Sequence, residues 1–397
     1  MYCIPYDRLD ISKLGDDKYL ATKGLKQTPS LQHHILTYDK DRITDENREF
    51  CKLFRSTIFN SKGCVCFSPP KSMFYETFKR DFDIDNVVVE EFIEGTMINV
   101  FYDDKWHIAT RNTVGGQTRF YKDSPTFYEM FEAAKHFCNL DYSLLDKKYC
   151  YSFILQHPKN RIVCPVNQPR LYLIAIYYIK HEDDMITIKE IHRSDKYIED
   201  LLHRTNRGVW VPRIFSAESY EVIEKDFISR TKHIYSDMGR VFKSATQRTK
   251  YINPVYQEIK LMRGNHPKLQ FQYLNLRKNG MVKEYLRYYR ENVREFSVFR
   301  DQIHRFTRTL FKNYISCFIR KEKVLSEYSH QYKNHMYCLH QLYLNKLREE
   351  KKCVDNAFVI DYINNLEPTR LMYSLNYYIR QINLDNIKTG SVYNCKV

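Results

Sequence analysis

Glycine and proline are scarce in this sequence, 11 and 12 residues in a chain of 397, which excludes collagen-like repeats and argues against long structureless linkers. No apolar run reaches membrane-spanning length: the longest, Leu171 to Ile179, is closed by Lys180 and reads as a buried strand. The opening "MYCIPYDRLD" has neither the basic start nor the apolar core of a secretory signal. No two of the eleven cysteines stand at the Cys-x-x-Cys separation of zinc ribbons, so they read as reduced, packed thiols of a cytoplasmic protein. Cys64 and Cys66 alternate along a strand-like run and are expected in a core. A Gly-x-Ser-x-Gly elbow, a phosphate-binding loop and a dinucleotide fingerprint are all missing.

Present instead are a 43% apolar content, enough for real cores, and a formal net charge of +15 that is unevenly spread. From His266 onward there are 23 Lys and Arg against 12 Asp and Glu, a net +11 in one third of the chain. That third would attract a polyanion, or would simply be a well-solvated helical domain. Up to about Gly264 short strand-like runs alternate with turns, among them "VVVEEF", "TMINVFY", "KWHIATR" and "YSFILQH", which predicts a mostly antiparallel α+β domain. The spacing of "TFYEMFEAAKHFCNL" predicts a helix over one sheet face. Beyond "MRGNHPKL" the period becomes helical, giving an expected division into 1–265 and 266–397. In Phe299 to Phe318 one stripe holds Phe299, Ile303, Phe306, Leu310, Tyr314 and Cys317, and the opposite one Arg305, Arg308 and Lys312. That cationic ridge is the candidate RNA-binding surface. His330, His335 and His340 recur every five residues, rotate by about 140° per step, and cannot converge on one metal.

Four segments in order, "FRSTIFNSKGCVCFSPPKS", "EEFIEGTMINVFYDDKWHIATR", "YSFILQHPKNRIV" and "TKYINPVYQEIKLMRGN", resemble the covalent nucleotidyltransferase superfamily. Within it they are similar to the RNA ligases typified by the tRNA-repair ligase of T-even phages, over about Arg55 to Asn265. "HPKNRIV" is the most specific piece, and "EGTMINVFY" is similar to proteins of large cytoplasmic DNA viruses. The resemblance implies an antiparallel-sheet nucleotidyltransferase domain followed by an all-α basic domain serving RNA recognition. It implies ATP or another nucleotide, with magnesium, as cofactors, and RNA as partner. Family chemistry needs a lysine amine that attacks the α-phosphate, and carboxylates that hold a divalent metal.

Matched residue by residue, those reactive groups are absent. Phe92 stands in place of the nucleophilic lysine in Phe92-Ile93-Glu94-Gly95. Ile154 stands where the family carries Glu, with no carboxylate between Tyr149 and Val163. Met238 precedes Gly239, leaving Asp237 one step out of register, and Ile252 replaces the second lysine of the last motif. Basic positions persist: Arg55, Lys71, Arg111, Arg161 and Lys250 match residues on the nucleotide and phosphate path, and Phe92, Glu94 and Gly95 complete the candidate nucleotide-binding set. The competing expectation is that these cations are ion-pair partners of Glu90, Glu91 or Glu94. No catalytic and no metal-binding residue is assigned. The favoured reading is a ligase-like pseudoenzyme that binds RNA ends or nucleotide without adenylating itself, in the cytoplasm, a host cytoplasm for a viral protein. The alternatives are an active ligase using a displaced lysine, Lys71 or Lys105, and a scaffold whose basic helices dock an acidic protein. No membrane association is expected.

Overall fold

The computed structural model describes residues 1–120, 124–229 and 234–388. The chain forms two compact units, Met1–Lys260 and Leu261–Val397. Their division falls inside the helix Pro254–Arg263, ahead of the change in sequence period used to place it at 265. The first unit is built on three antiparallel sheets and the second is helical, so the α+β expectation holds.

The described residues form fourteen strands, in chain order β1 (Tyr2–Pro5), β2 (Leu25–Ser30), β3 (His33–Tyr38), β4 (Thr57–Asn60), β5 (Gly63–Cys66), β6 (Val88–Glu91), β7 (Thr96–Tyr102), β8 (Trp106–Ala109), β9 (Tyr149–Gln156), β10 (Arg170–His181), β11 (Met185–Glu190), β12 (Ile214–Phe215), β13 (Gly239–Lys243) and β14 (Arg248–Ile252). They pair in the orders β1-β11-β10-β9-β7-β8, β12-β6-β13-β14 and β2-β3-β4-β5.

Alternation decides which face each residue takes. In β9, Tyr151, Phe153 and Leu155 pack with Met130, Phe131 and Ala134 of the helix Phe127–Phe137, which starts on a Thr126/Glu129 capping box. Ile154 points to the opposite face, where Met97 and Tyr172 flank it on β7 and β10. In the second sheet Val89 and Phe242 pack with Phe78, Tyr220 and Phe227 from two covering helices. The residues between them, Val88, Glu90, Val241, Lys243, Arg248 and Lys250, therefore share the other face. The β7–β8 hairpin turns through Asp103-Asp104-Lys105; Asp103 accepts hydrogen bonds from His33 Nε2 (3.0 Å) and Asn60 Nδ2 (2.9 Å). Cys64 and Cys66 are buried on β5, and all ten described cysteines are free. Among the described residues, no helix is long and apolar enough to cross a membrane.

Candidate functional site

β6 ends where the Phe92 amide donates to the Gly239 carbonyl (3.1 Å), and the chain then bends through Ile93, Glu94 and Gly95 into β7. Gly95 sits at φ +152°, and a Cβ there would lie 2.5 Å from both Ile154 Cγ2 and the Leu155 carbonyl oxygen. Only glycine fits so close an approach at that φ. Gly95→Ala is expected to cost about 2 kcal/mol or more, read as a lower urea midpoint at an unchanged slope. Glu94 is buried, and its carboxylate accepts from the backbone amides of Val163 (3.0 Å) and Cys164 (3.1 Å). Burial first, and then Glu94, push the Cys164 thiol well up. Arg161 turns its guanidinium onto the Val163 carbonyl (3.1 and 2.9 Å), and Asn160 Nδ2 donates to Thr96 Oγ1 (3.0 Å). The "HPKNRIV" segment thus buckles onto the 92–96 bend through hydrogen bonds that lock both.

The three acidic residues ahead of β7 are spent elsewhere. Glu90 pairs with Lys243 (2.8 Å) and Arg193 (3.4 Å), Glu91 with Arg213 (3.0 Å), and Glu94 with the amides just named. Arg55, Lys71, Arg111 and Lys250 consequently have no carboxylate partner among the described residues. They lie against rings instead: Lys71 Nζ is 5.4 Å and Arg111 Cζ 5.9 Å from the Tyr38 centroid, and Lys250 Nζ is 5.4 Å from that of Phe92. Burial first, then Arg55, Lys260 and Arg248, lower the Lys250 pKa from its ordinary value. Arg55 is lowered by burial and then by Arg248, with a further contribution from Arg111. These mutual effects define one cluster, in which the cations repel one another.

Arg248 and Lys260 are members that sequence reasoning missed. Arg248 Nε is buried and has no hydrogen-bond partner among the described residues. Its signal was the period of two in "RTKYI", which puts Arg248 and Lys250 on one face of β14. On that face, a cavity of about 410 Å³ is walled by Val88, Glu90, Lys243 and Arg248 from the second sheet and by Leu173 to Ile176 of β10. None of the eight residues expected to bind nucleotide lines it, although Arg248 joins it to the cation cluster. Lys71 borders a separate hollow of about 200 Å³ beside Lys52 and Phe74.

At the positions where the resemblance would expect carboxylates and amines, the side chains are apolar or already bonded. Ile154 packs with Ile93 and Tyr172. Met238 is buried, and the Asp237 carboxylate is taken by Arg240 (2.8 and 3.0 Å) and the Gly239 amide (3.2 Å). Lys105 is exposed in the hairpin turn, seven strand residues or about 23 Å of β7 away from Gly95. Among the described residues no group of three His, Cys, Asp or Glu could hold a metal ion. The carboxylates nearest the bend, Glu90, Glu91, Glu94 and Asp237, are each already bonded to a cation or an amide.

Two curated relatives share part of this sequence. An RNA ligase of Rhodothermus phage RM378 is 23% identical over 165 residues, 39% of this chain and 36% of the relative. The chain carries an RNA-ligase-like core. An immediate-early protein ICP-46 homolog of Invertebrate iridescent virus 3 is 24% identical over 190 residues, 46% of this chain and 38% of the relative. The match therefore spans under two fifths of either relative's length. Among solved structures, an archaeal ATP-dependent RNA ligase aligns with a TM-score of 0.39 at 15% identity, covering 74% of this chain and 72% of that one. No family model matches.

The helical unit carries the expected ridge. The helix Val293–Tyr314 buries Ile303, Phe306, Leu310 and Tyr314, half-buries Phe299, and exposes Arg305, Arg308 and Lys312. The three histidines separate as their rotation requires: His330 is exposed, His335 is buried, and His340 stacks on Phe318 with centroids 4.0 Å apart.

Proposed function

We propose that the protein binds RNA, taking a phosphate-bearing end or a nucleotide on the cluster of Arg55, Arg111, Arg248, Lys250 and Lys260 without forming a covalent adenylate. One observation carries this reading: Glu90, Glu91, Glu94 and Asp237 are bonded to other groups, and among the described residues no carboxylate pairs with Arg55, Arg111 or Lys250. Holding unpaired cations together costs free energy, and a phosphate dianion would recover it. The covalent step is left out because a phenyl ring replaces the amine at position 92. Glu94 and Gly95 then shape the bend, Arg161 braces it, and Lys71 and Arg111 extend the basic path across Tyr38. Within the helical unit, the exposed 305–312 ridge is a separate set of phosphate contacts. ATP or another nucleotide with magnesium remains the ligand set implied by resemblance, the metal arriving with the nucleotide. The free thiols accord with a cytoplasmic setting.

Incubation with α-labelled ATP and magnesium or manganese is expected to leave no acid-labile label on the polypeptide. One observation favours a second reading, adenylation on a displaced amine: Lys250 stands over the ring at the nucleophile's position with a lowered pKa. A stoichiometric adduct that disappears in Lys250→Ala would establish it and sink the non-covalent proposal. Binding to short single-stranded RNA should weaken steeply with salt. The double reversal Arg55→Glu, Lys250→Glu should lower affinity about 30-fold at low salt, while Arg305→Glu with Lys312→Glu should lower it about tenfold. Wild-type protein that ignores RNA at low salt yet binds an acidic protein surface would replace RNA by a protein partner.

A further inference from the structure

A second cavity lies wholly within the helical unit, about 310 Å³, framed by the helices Leu269–Lys278, Val293–Tyr314 and Asn356–Asn365. Arg277 enters from the first helix, and His304 and Arg308 from the second, one turn apart. Asn356 and Asn364 contribute amides from opposite ends of the third, and no Asp or Glu lines the hollow. Arg277 is the informative member. Burial lowers its pKa, and its guanidinium donates to Asn364 Oδ1, a neutral acceptor. A partly dry guanidinium bonded to an amide leaves donors for an anion, and Arg308 faces the same space with His304 beside it. The Asn356 amide has a different use. An Asn side chain offers a donor and an acceptor together, the combination that matches a nucleobase edge and not a simple anion. Ile360, 42% exposed at the same hollow, gives a base plane an apolar surface.

We infer that this hollow seats one nucleotide of a single-stranded RNA, its phosphate between Arg277 and Arg308 at the Asn364 end and its base edge at Asn356. The volume suits one nucleotide and excludes a duplex. Arg305 and Lys312, three residues before and four after Arg308 on one helix, provide the next phosphate contacts on either side. The inference rests on the RNA-binding reading and adds to it a built pocket with base contacts, where the ridge alone supplies only charge.

The test is fluorescence anisotropy of the full chain with a labelled RNA hexamer over a salt series. Arg277→Gln is expected to weaken binding about tenfold and to reduce the salt slope by about one. Asn356→Leu, on an exposed position at a helix start, should weaken it about fivefold with an unchanged slope and an altered base preference among homopolymer hexamers. Nucleoside monophosphates should compete, and inorganic phosphate at equal concentration should compete less. If Arg277→Gln lowers the helical circular dichroism, Arg308→Gln replaces it with the same expectation. Wild-type binding that is untouched by Asn356→Leu and either arginine change, yet falls in Arg305→Glu with Lys312→Glu, would overturn the pocket and leave the ridge reading standing. Competition by an acidic phosphopeptide stronger than by monophosphates would overturn it too. A wild-type chain that binds no RNA would end both readings.

Discussion

Replacing Glu94 by alanine is expected to cost about 3–4 kcal/mol of unfolding free energy, although Glu94 occupies a position that in the resemblance belongs to nucleotide binding. Its carboxylate is buried and accepts from two successive backbone amides, Val163 and Cys164. Removing it strands both donors away from water and releases the 92–96 bend from the "HPKNRIV" buckle. Glu94→Gln keeps one carbonyl acceptor of the same length and should cost about 1–2 kcal/mol. Urea unfolding of both variants checks the pair. A residue held for ligand contact behaves oppositely, since its loss leaves stability unchanged or raised while binding falls. A Glu94→Ala shift under about 1 kcal/mol would therefore remove Glu94 from the frame and return it to the ligand side.

That example shows what a sequence can and cannot disclose about this site. Strand periodicity places Arg248 and Lys250 on one face, and helical periodicity separates Ile303 and Phe306 from Arg305 and Arg308, because both rest on local geometry. The β7–β8 hairpin and the core placement of Cys64 and Cys66 were legible for the same reason. Whether Arg55 or Lys250 had an acidic partner was not, because it depends on where Arg193, Arg213 and Lys243 arrive in space. Those three residues lie about 100 or more positions from the carboxylates they neutralise, and no local period reports on them. The helical pocket escaped for a related reason: Arg277, Arg308 and Asn364 belong to three helices that only packing brings together.

Acid should loosen the helical unit before ordinary carboxylate titration does, with His335 as the trigger. The ring is 3% exposed and hydrogen-bonded on both nitrogens, Nδ1 to Tyr362 Oη (2.9 Å) and Nε2 to Ser374 Oγ (2.7 Å). Ser374 Oγ–H donates to the Arg370 carbonyl (3.1 Å), so Ser374 accepts from Nε2–H and the Tyr362 hydroxyl donates to a bare Nδ1. That network is complete for a neutral imidazole. A second proton would meet the Tyr362 hydroxyl head-on in a dry site near Arg370, and burial followed by Arg370 lowers the pKa from 6.5 to about 4. For a base with a depressed folded pKa, the native state disfavours the proton. Its contribution is full above the unfolded value near 6.5 and shrinks as pH falls through about 4. The loss approaches about 3 kcal/mol. Urea midpoints followed by helical circular dichroism should drop between pH 6.5 and 4 in wild type. In His335→Asn, which cannot take the proton, the decline over that interval should largely vanish on a lower starting stability, and an equal decline in both proteins would assign the acid response elsewhere.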